Sequence, residues 1–374
     1  MEIRLKRSEF LGELIPMQGI VERKTTIPVL SHLRLTAAGD KLHLAATDLD
    51  VSLTSWCEAD VKEEGGLAVQ AKKLIEIVRS LGSEEVLLSQ PEPRSLAVRA
   101  GSSRFKIHGL ANEDFPTLAQ VEAGGTDIPF ADFKRMVSKI LFAVSAEESR
   151  FQLNGALLKL KPGAVEMVAT DGHRLALVEV HEEALAGLAP ADPPGSEDSV
   201  LVPRKALQEI QRFEGEGSLT YHRGEHHLSF RLGRRELICR ILEGTFPDYE
   251  RVIAKDNDKK VVFTRRALAD AVQRAALMTG DRARAVRLQF SPDQLVISAV
   301  NADLGEAVES LECVYDGPEF RLGINPDYLS DFLAAVEAEK VRLELKDENT
   351  QCVGYPEEAK DGGRYLCVIM PMRI

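Results

Sequence analysis

Residues 168–177, VATDGHRLAL, have two near copies in the same chain, AATDLDVSL at 45–53 and SAVNADLGEAV at 298–308. Each follows an alternating apolar stretch and turns on Asp or Asn, the pattern of a strand ending in a tight turn. Their recurrence means that one unit of roughly 125 residues is written three times, and such a repeat decides the fold before any other feature. The neighbouring segments agree. RFKIHGLANEDFPTL (104–118) and RELICRILEGTFPDY (235–249) run from alternation through a break to Phe-Pro, and GRYLCVIMPMRI (363–374) is a truncated third version with Met370-Pro371 in that place.

Working outward, helix-period segments recur in the same order. SEFLGELIPMQGIV (8–21), ADFKRMVSKILFAVS (131–145) and RRALADAVQRAALMTG (265–280) open the units, with apolar spacing of three and four as in Phe133, Met136, Val137, Ile140 and Leu141. Pro16 should kink or shorten the first of them. A second helix follows in each unit: AKKLIEIVRSLG (71–82), PRKALQEIQRF (203–213) and NPDYLSDFLAAVE (325–337), the last two with proline in the first turn, where its missing N–H costs nothing. Between the helices, short alternating strands are joined by turns such as AGDK (38–41), RGEHH (223–227) and SPDQ (291–294). The expected architecture is α+β: three repeated domains, each with two helices packed on antiparallel sheets. Boundaries fall in the polar QVEAGGTDIP (120–129) and AKDNDKK (254–260), giving domains 1–125, 126–256 and 257–374. APADPPGSEDS (189–199) reads as a loop inside the second unit.

The 374 residues carry a net charge of −12, which argues at first against a phosphate-rich partner. Segregation of the basic residues reverses that argument. Lys72, Lys73 and Arg79 oppose Glu76; Lys134, Arg135 and Lys139 oppose Asp132; Arg204, Lys205 and Arg212 oppose Glu209; Arg265, Arg266 and Arg274 oppose Asp270. Four helices are thus net positive in an acidic chain, although solvated helix faces explain most surface Lys and Arg. The first helix is roughly neutral and residues 325–337 are acidic. Five scattered cysteines, never in a CxxC pair, read as small core residues of a reducing compartment, with no metal site. The charged start MEIRLKRSEF lacks a signal peptide's apolar stretch, so a cytoplasmic location is expected.

Taken in order and spacing, KTTIPVLSHLRL (24–35), ATDLD (46–50), SRFKI (103–107), LNG (153–155), ATDGHRLAL (169–177), VPRKAL (202–207), FPDYERV (246–252) and the terminal VIMPMRI resemble the bacterial DNA sliding clamp family, the beta subunits of DNA polymerase III. The resemblance covers the whole chain. It implies a head-to-tail homodimeric ring that encircles duplex DNA without sequence preference, with helices lining the hole and sheets at the rim. It also implies partners that dock through short linear motifs: the catalytic subunit of the polymerase, the clamp loader, and other polymerases and repair proteins. Twelve helices spaced ~10 Å apart trace a circle roughly 38 Å across, leaving a hole of roughly 28 Å after one helix diameter, wider than a B-form duplex.

The resemblance places Lys24, Lys72, Arg150, Phe151, Arg204 and Lys205 against the duplex, although Gln152 stands where the family often has an aromatic residue and Arg150-Phe151 alone reads equally as an exposed turn. A peptide pocket between the second and third domains would take Leu153, Thr170, Gly172, His173, Arg174, Leu175, Pro247, Arg251, Val252, Asn325, Tyr328, Val368, Met370, Pro371, Met372 and Arg373, with Met supplying an adaptable groove and Arg174, Arg251 and Arg373 a polar rim. Ala283 replaces a bulkier residue near it. Without the family, VIMPM reads as a core strand. For the dimer contact, Phe105 and Ile107 would meet Leu277 and Met278, and Lys72 or Lys73 would face Glu306 and Glu309, with packing inside each domain as the alternative.

Two other readings compete. His173 with His222, His226 and His227 suggests catalysis, but no second ligand or nucleophile set lies at working spacing, and no GxxxxGK, nucleophile elbow or HExxH occurs. No cofactor is called for. A three-unit scaffold that never touches nucleic acid explains the repeat and the groove but leaves the basic helices unexplained.

Overall fold

The computed structural model describes residues 1–22, 26–121, 124–147, 149–181, 198–280, 284–358 and 363–373. Lys24 and Ala283 lie outside the described residues, as does most of the 189–199 segment. Six α-helices are present among those described: α1 (Arg7–Ile20), α2 (Ala71–Ser80), α3 (Phe130–Ile140), α4 (Arg204–Gln211), α5 (Arg265–Ala276) and α6 (Pro326–Ala335). They match the six helical segments of the sequence, two per repeat. None is long and apolar enough to cross a membrane.

All strand pairing between the described strands is antiparallel, and the strands fall into sheets of thirteen, eight and four. The three copied segments form one kind of turn. Asp48 Oδ1 accepts from the backbone N–H of Asp50 (3.0 Å) and Val51 (2.6 Å). Asp171 Oδ1 accepts from His173 (2.9 Å) and Arg174 (3.0 Å), and Asn301 Oδ1 from Asp303 (2.9 Å) and Leu304 (3.2 Å). An Asp or Asn side chain that bonds backbone groups two and three residues on stands in for a turn of main chain, so this residue type recurs at the position.

The sheets do not break where the repeats do. One compact unit comprises Met1–Ala131 with Lys205–Ile241, and the other Asp132–Arg204 with Leu242–Ile374. In the first unit the strand Arg235–Arg240 of the middle repeat pairs with Val51–Glu58 of the first. In the second unit Arg174–His181 of the middle repeat pairs with Arg364–Ile369 of the third. Each half of the middle repeat thereby finishes a neighbour's sheet edge, which would otherwise carry a row of unpaired N–H and C=O groups.

Pro16 does not shorten α1, which continues to Ile20. A proline at this position leaves the carbonyl of Gly12, one turn back, without its helical donor. Arg235 fills the gap: its Nη2 donates to Gly12 O at 3.2 Å, while Nε and Nη2 reach the buried Glu13 carboxylate at 2.9 and 3.1 Å. Ser55 also donates to Glu13. One guanidinium thus repairs the proline defect and neutralises a buried acid. All five cysteines are buried and free, and burial pushes the Cys57 thiol up to about 12.

Replacing Arg235 by Met should lower stability by about 3–5 kcal/mol, because it strands a buried carboxylate. Urea unfolding measures this. Adding Glu13→Gln should recover part of the loss, and a strictly additive double variant would mean that the two residues do not act as a pair.

Candidate docking site and basic helix faces

The second unit assembles the candidate docking site from three chain segments. The turn Thr170–Arg174 is closed by Asp171 and by Thr170, whose Oγ1 donates to Arg174 O (2.7 Å) and accepts from Gly172 N (3.1 Å). Gly172 has φ +89°, a left-handed conformation that a side chain would strain. The C-terminal segment is sewn beside this turn: Met370 N donates to His173 O at 2.9 Å, and Met372 N to Gly323 O at 2.8 Å. The third segment is the start of α6, where Asn325 caps the helix through Oδ1 and the N–H of Asp327 (2.9 Å) and Pro326 takes the first position. Tyr328 on that helix stacks with His173, ring centroids 6.3 Å apart.

Beneath these segments lies a core of Leu157, Val168, Leu175, Leu177, Tyr249, Leu366 and Val368, against which Phe246 and Val252 pack. Leu175 and Val368 are buried, as is Leu153, so they shape the site from below. Met370, Pro371 and Met372 are half-buried and Pro247 is exposed, and these form its apolar surface.

Arg174 is a strut. Its side chain is only 11% exposed; Nε bonds Asp171 (3.0 Å), Nη1 bonds Asp331, and Nη2 donates to Phe142 O (2.6 Å). The guanidinium lies 4.5 Å from the Tyr328 ring centroid and 5.1 Å from that of Phe142. Burial works against its charge, but the Asp331 hydrogen bond and the Asp171 carboxylate outweigh it and raise the pKa. The outer cations are Arg251, 86% exposed and paired with Asp248 (2.7 Å), and Arg373. Arg373 and Met372 line a cavity of about 410 Å³ with Arg287, Arg321, Glu348 and Asn349.

Further supports were not singled out in the sequence. Asp331 and Phe142 hold Arg174 from residues distant in the chain. Tyr249 donates to the buried Glu166 carboxylate at 2.6 Å, and Lys161 pairs with Glu166 (3.0 Å) and Glu179 (3.2 Å). Burial alone would raise the Glu166 pKa, yet hydrogen bonds from Tyr249 and Lys161 bring it below the ordinary value. The Tyr in FPDY was visible as a motif residue, but its acidic partner 83 positions away carried no local signal.

The basic residues divide into committed and available groups. Lys205 donates to Ile20 O (2.8 Å) and to the Asp48 carboxylate. Arg212 pairs with Glu209 (2.6 Å), Arg135 with Asp132 (2.9 Å), and Arg265 donates to Ala338 O and Leu333 O at the end of α6 (both 3.1 Å). Arg204 has a buried Nε with no hydrogen-bond partner. Lys72 and Lys73 project from α2, sharing Glu76 at 4.0 and 2.8 Å. Phe151 is 70% exposed, and Gln152 beside it is exposed too. Arg150 folds onto the docking turn, donating to Asp171 O (3.2 Å), and reaches Glu147 (3.7 Å).

Of the residues expected at a dimer contact, Phe105, Leu277 and Glu306 are exposed, Met278 is half-buried and Ile107 is buried. Glu309 is engaged by Arg274 at 3.0 and 2.6 Å. Lys73 is exposed beside Glu76.

The fold and site define a three-repeat clamp-type protein: antiparallel sheets, paired helices and a candidate docking surface that includes the C-terminal residues. Family models for the N-terminal, central and C-terminal domains of the DNA polymerase III beta subunit match residues 1–119, 127–248 and 250–373 in succession. The chain belongs to that family. It is 35% identical over 380 residues to the beta sliding clamp of Pseudomonas putida, covering all of both chains. Among solved structures, the DNA polymerase III subunit beta of Pseudomonas aeruginosa superposes with a TM-score of 0.90 at 34% identity, and the sliding clamp of Bartonella birtlesii bound to griselimycin with 0.91 at 30%, each covering all of both chains.

Changing Tyr249 to Phe should cost about 1–3 kcal/mol at neutral pH, since the buried Glu166 loses a donor. Glu166 has a folded pKa below its unfolded value, so its contribution is present above the ordinary carboxylate pKa and is lost as pH falls through the folded one. The variant's deficit should therefore shrink in acid. Urea midpoints between neutral pH and pH ~3 check this; a deficit independent of pH would remove Glu166 from the explanation.

Proposed function

We propose that this chain is a DNA sliding clamp, a non-catalytic processivity factor. Two copies close head to tail into a ring around duplex DNA, which slides freely because the contacts are to phosphates and carry no sequence information. The full-length match to proteins that bear this function carries the reading. The duplex-facing residues would be Lys24, Lys72, Arg150, Arg204, Lys205 and the exposed Phe151. Lys205 would reach phosphate only by leaving Asp48, so its contribution is smaller than its charge suggests.

Two unpaired edges suit ring closure. Among the described residues, 103–108 pair only with Ser95–Ala100, and Gly305–Glu312 is an outer strand of the four-stranded sheet. Exposed Phe105 on the first and Leu277, Val300 and Val308 around the second would be buried together, with Lys73 and Arg104 against Glu306. The docking surface would hold linear motifs of the polymerase's catalytic subunit, the clamp loader and other polymerases and repair proteins. Their apolar anchors would pack on Met370, Pro371 and Met372, with Arg251 and Arg373 meeting peptide carbonyls or carboxylates. A cytoplasmic location follows from that role.

After loading, protein should stay on nicked circular DNA and run off the linear form, a several-fold difference by gel filtration. Equal retention on both would sink the ring. Deleting Met370–Ile374 should weaken binding of a polymerase-derived peptide at least tenfold, about 1.4 kcal/mol or more, while sedimentation still reports the dimer. Unchanged peptide affinity would remove the docking assignment.

A further inference from the structure

The first unit holds a second candidate binding site. Ser55 faces α1 and Glu13, so its neighbour Trp56 points to the opposite side of the sheet. There a trough of about 600 Å³ is floored by His43, Thr54 and Trp56 and walled by Asn112 on one side and the turn Arg231–Glu236 on the other. Its cations are not all spent. Arg235 is committed to Glu13, and Arg231 pairs with Glu236 at 2.8 Å. Arg34 also lines the trough, half-buried over the Phe115 ring at 5.1 Å, and no carboxylate among the described residues pairs with it. Burial pushes its pKa down, the mark of a cation with no compensating charge. Arg234 lies 5.1 Å and Lys41 3.8 Å from the Trp56 ring centroid. The Asn112 side-chain oxygen is buried and has no donor.

We propose that this trough docks an extended acidic peptide segment of a partner protein, its carboxylates held by Arg34 and Arg234. A guanidinium fork fits carboxylate and phosphate alike. The floor separates them: a Glu or Asp carboxylate reaches a guanidinium on apolar methylenes that Ala45 and Trp56 can cover, and a phosphate carries none. On the Trp56 side of the sheet, Ala45 joins the floor beside Trp56. Nothing here depends on the Met370 surface, so the site stands or falls separately from the sliding-clamp reading.

Trp56 is the chain's only tryptophan, so its fluorescence reports this site alone. The full-length protein is titrated with acetyl-Glu-Leu-Glu-Leu-Glu-amide, its Gln counterpart, sodium phosphate and a thymidine oligonucleotide. The Glu peptide should change Trp56 emission saturably, and the Gln peptide should bind at least tenfold more weakly. Arg34→Gln and Arg234→Gln should each weaken the Glu peptide at least fivefold with an unchanged circular dichroism spectrum. Where Arg34→Gln fails to fold, Arg34→Lys keeps the charge, loses the fork and should still weaken binding. The proposal is overturned by silence of Trp56, by equal response to both peptides, by insensitivity to the arginine variants, or by phosphate or the oligonucleotide binding as well as the Glu peptide.

Discussion

Six rungs of antiparallel pairing, from Arg174 opposite Ile369 to Glu179 opposite Arg364, are what the docking site rests on. They fix the end of one strand of the middle repeat against the end of the last strand of the chain. The register puts Leu175 beside Val368 and points both into the same core. A one-residue slip of either strand would turn its buried face outward, so the register is held by burial as much as by hydrogen bonds. Where the ladder stops, the two bonds from Met370 and Met372 carry the chain onward along His173 and Gly323. The tail's half-buried methionines are therefore positioned by main chain, leaving their flexible side chains free to adapt to different ligands.

One turn appears three times with different consequences, and the difference lies in a single oxygen. In the first repeat the spare carboxylate oxygen of Asp48 takes Lys205. In the second, that of Asp171 takes Arg174, which then reaches Asp331 and the two aromatic rings. Asn301 in the third repeat has an amide where the others have a charge. Leu49 and Gly172 occupy equivalent places at φ +83° and +89°. Leu49 carries the roughly 1–2 kcal/mol left-handed penalty that glycine avoids, so the same backbone conformation costs less at Gly172 than at Leu49.

Much of this was legible beforehand because repeats and helix periods are local signals. All six helices, the Asp and Asn turns and the Pro326 start could be read from residues a few positions apart. What could not be read depends on residues far apart in sequence. Pro16 does not shorten α1, because the repair comes from Arg235, more than 200 positions on. Arg174 read as a rim cation, since nothing nearby revealed Asp331 or Phe142. Burial of Leu175, Val368 and Ile107 follows from sheet faces that alternation suggests but cannot assign.

The same distinction bears on charge. Counting cations on the helices overstates the field they present, because Lys205, Arg212, Arg135, Arg265 and Arg274 are each satisfied inside the protein. Every phosphate a protein neutralises releases counterions and adds to the salt dependence and strength of its hold on DNA. A ring that must stay closed around a duplex yet translate along it needs attraction enough to exclude the wrong face and too little to pin any one phosphate. Internal pairing would meet both demands: the cations remain on the helices, while their nearest acids would blunt each contact. Lys205, which would face the duplex yet is held by Asp48 and Ile20 O, is the plainest case of such pairing. Topology can then hold the DNA where affinity does not.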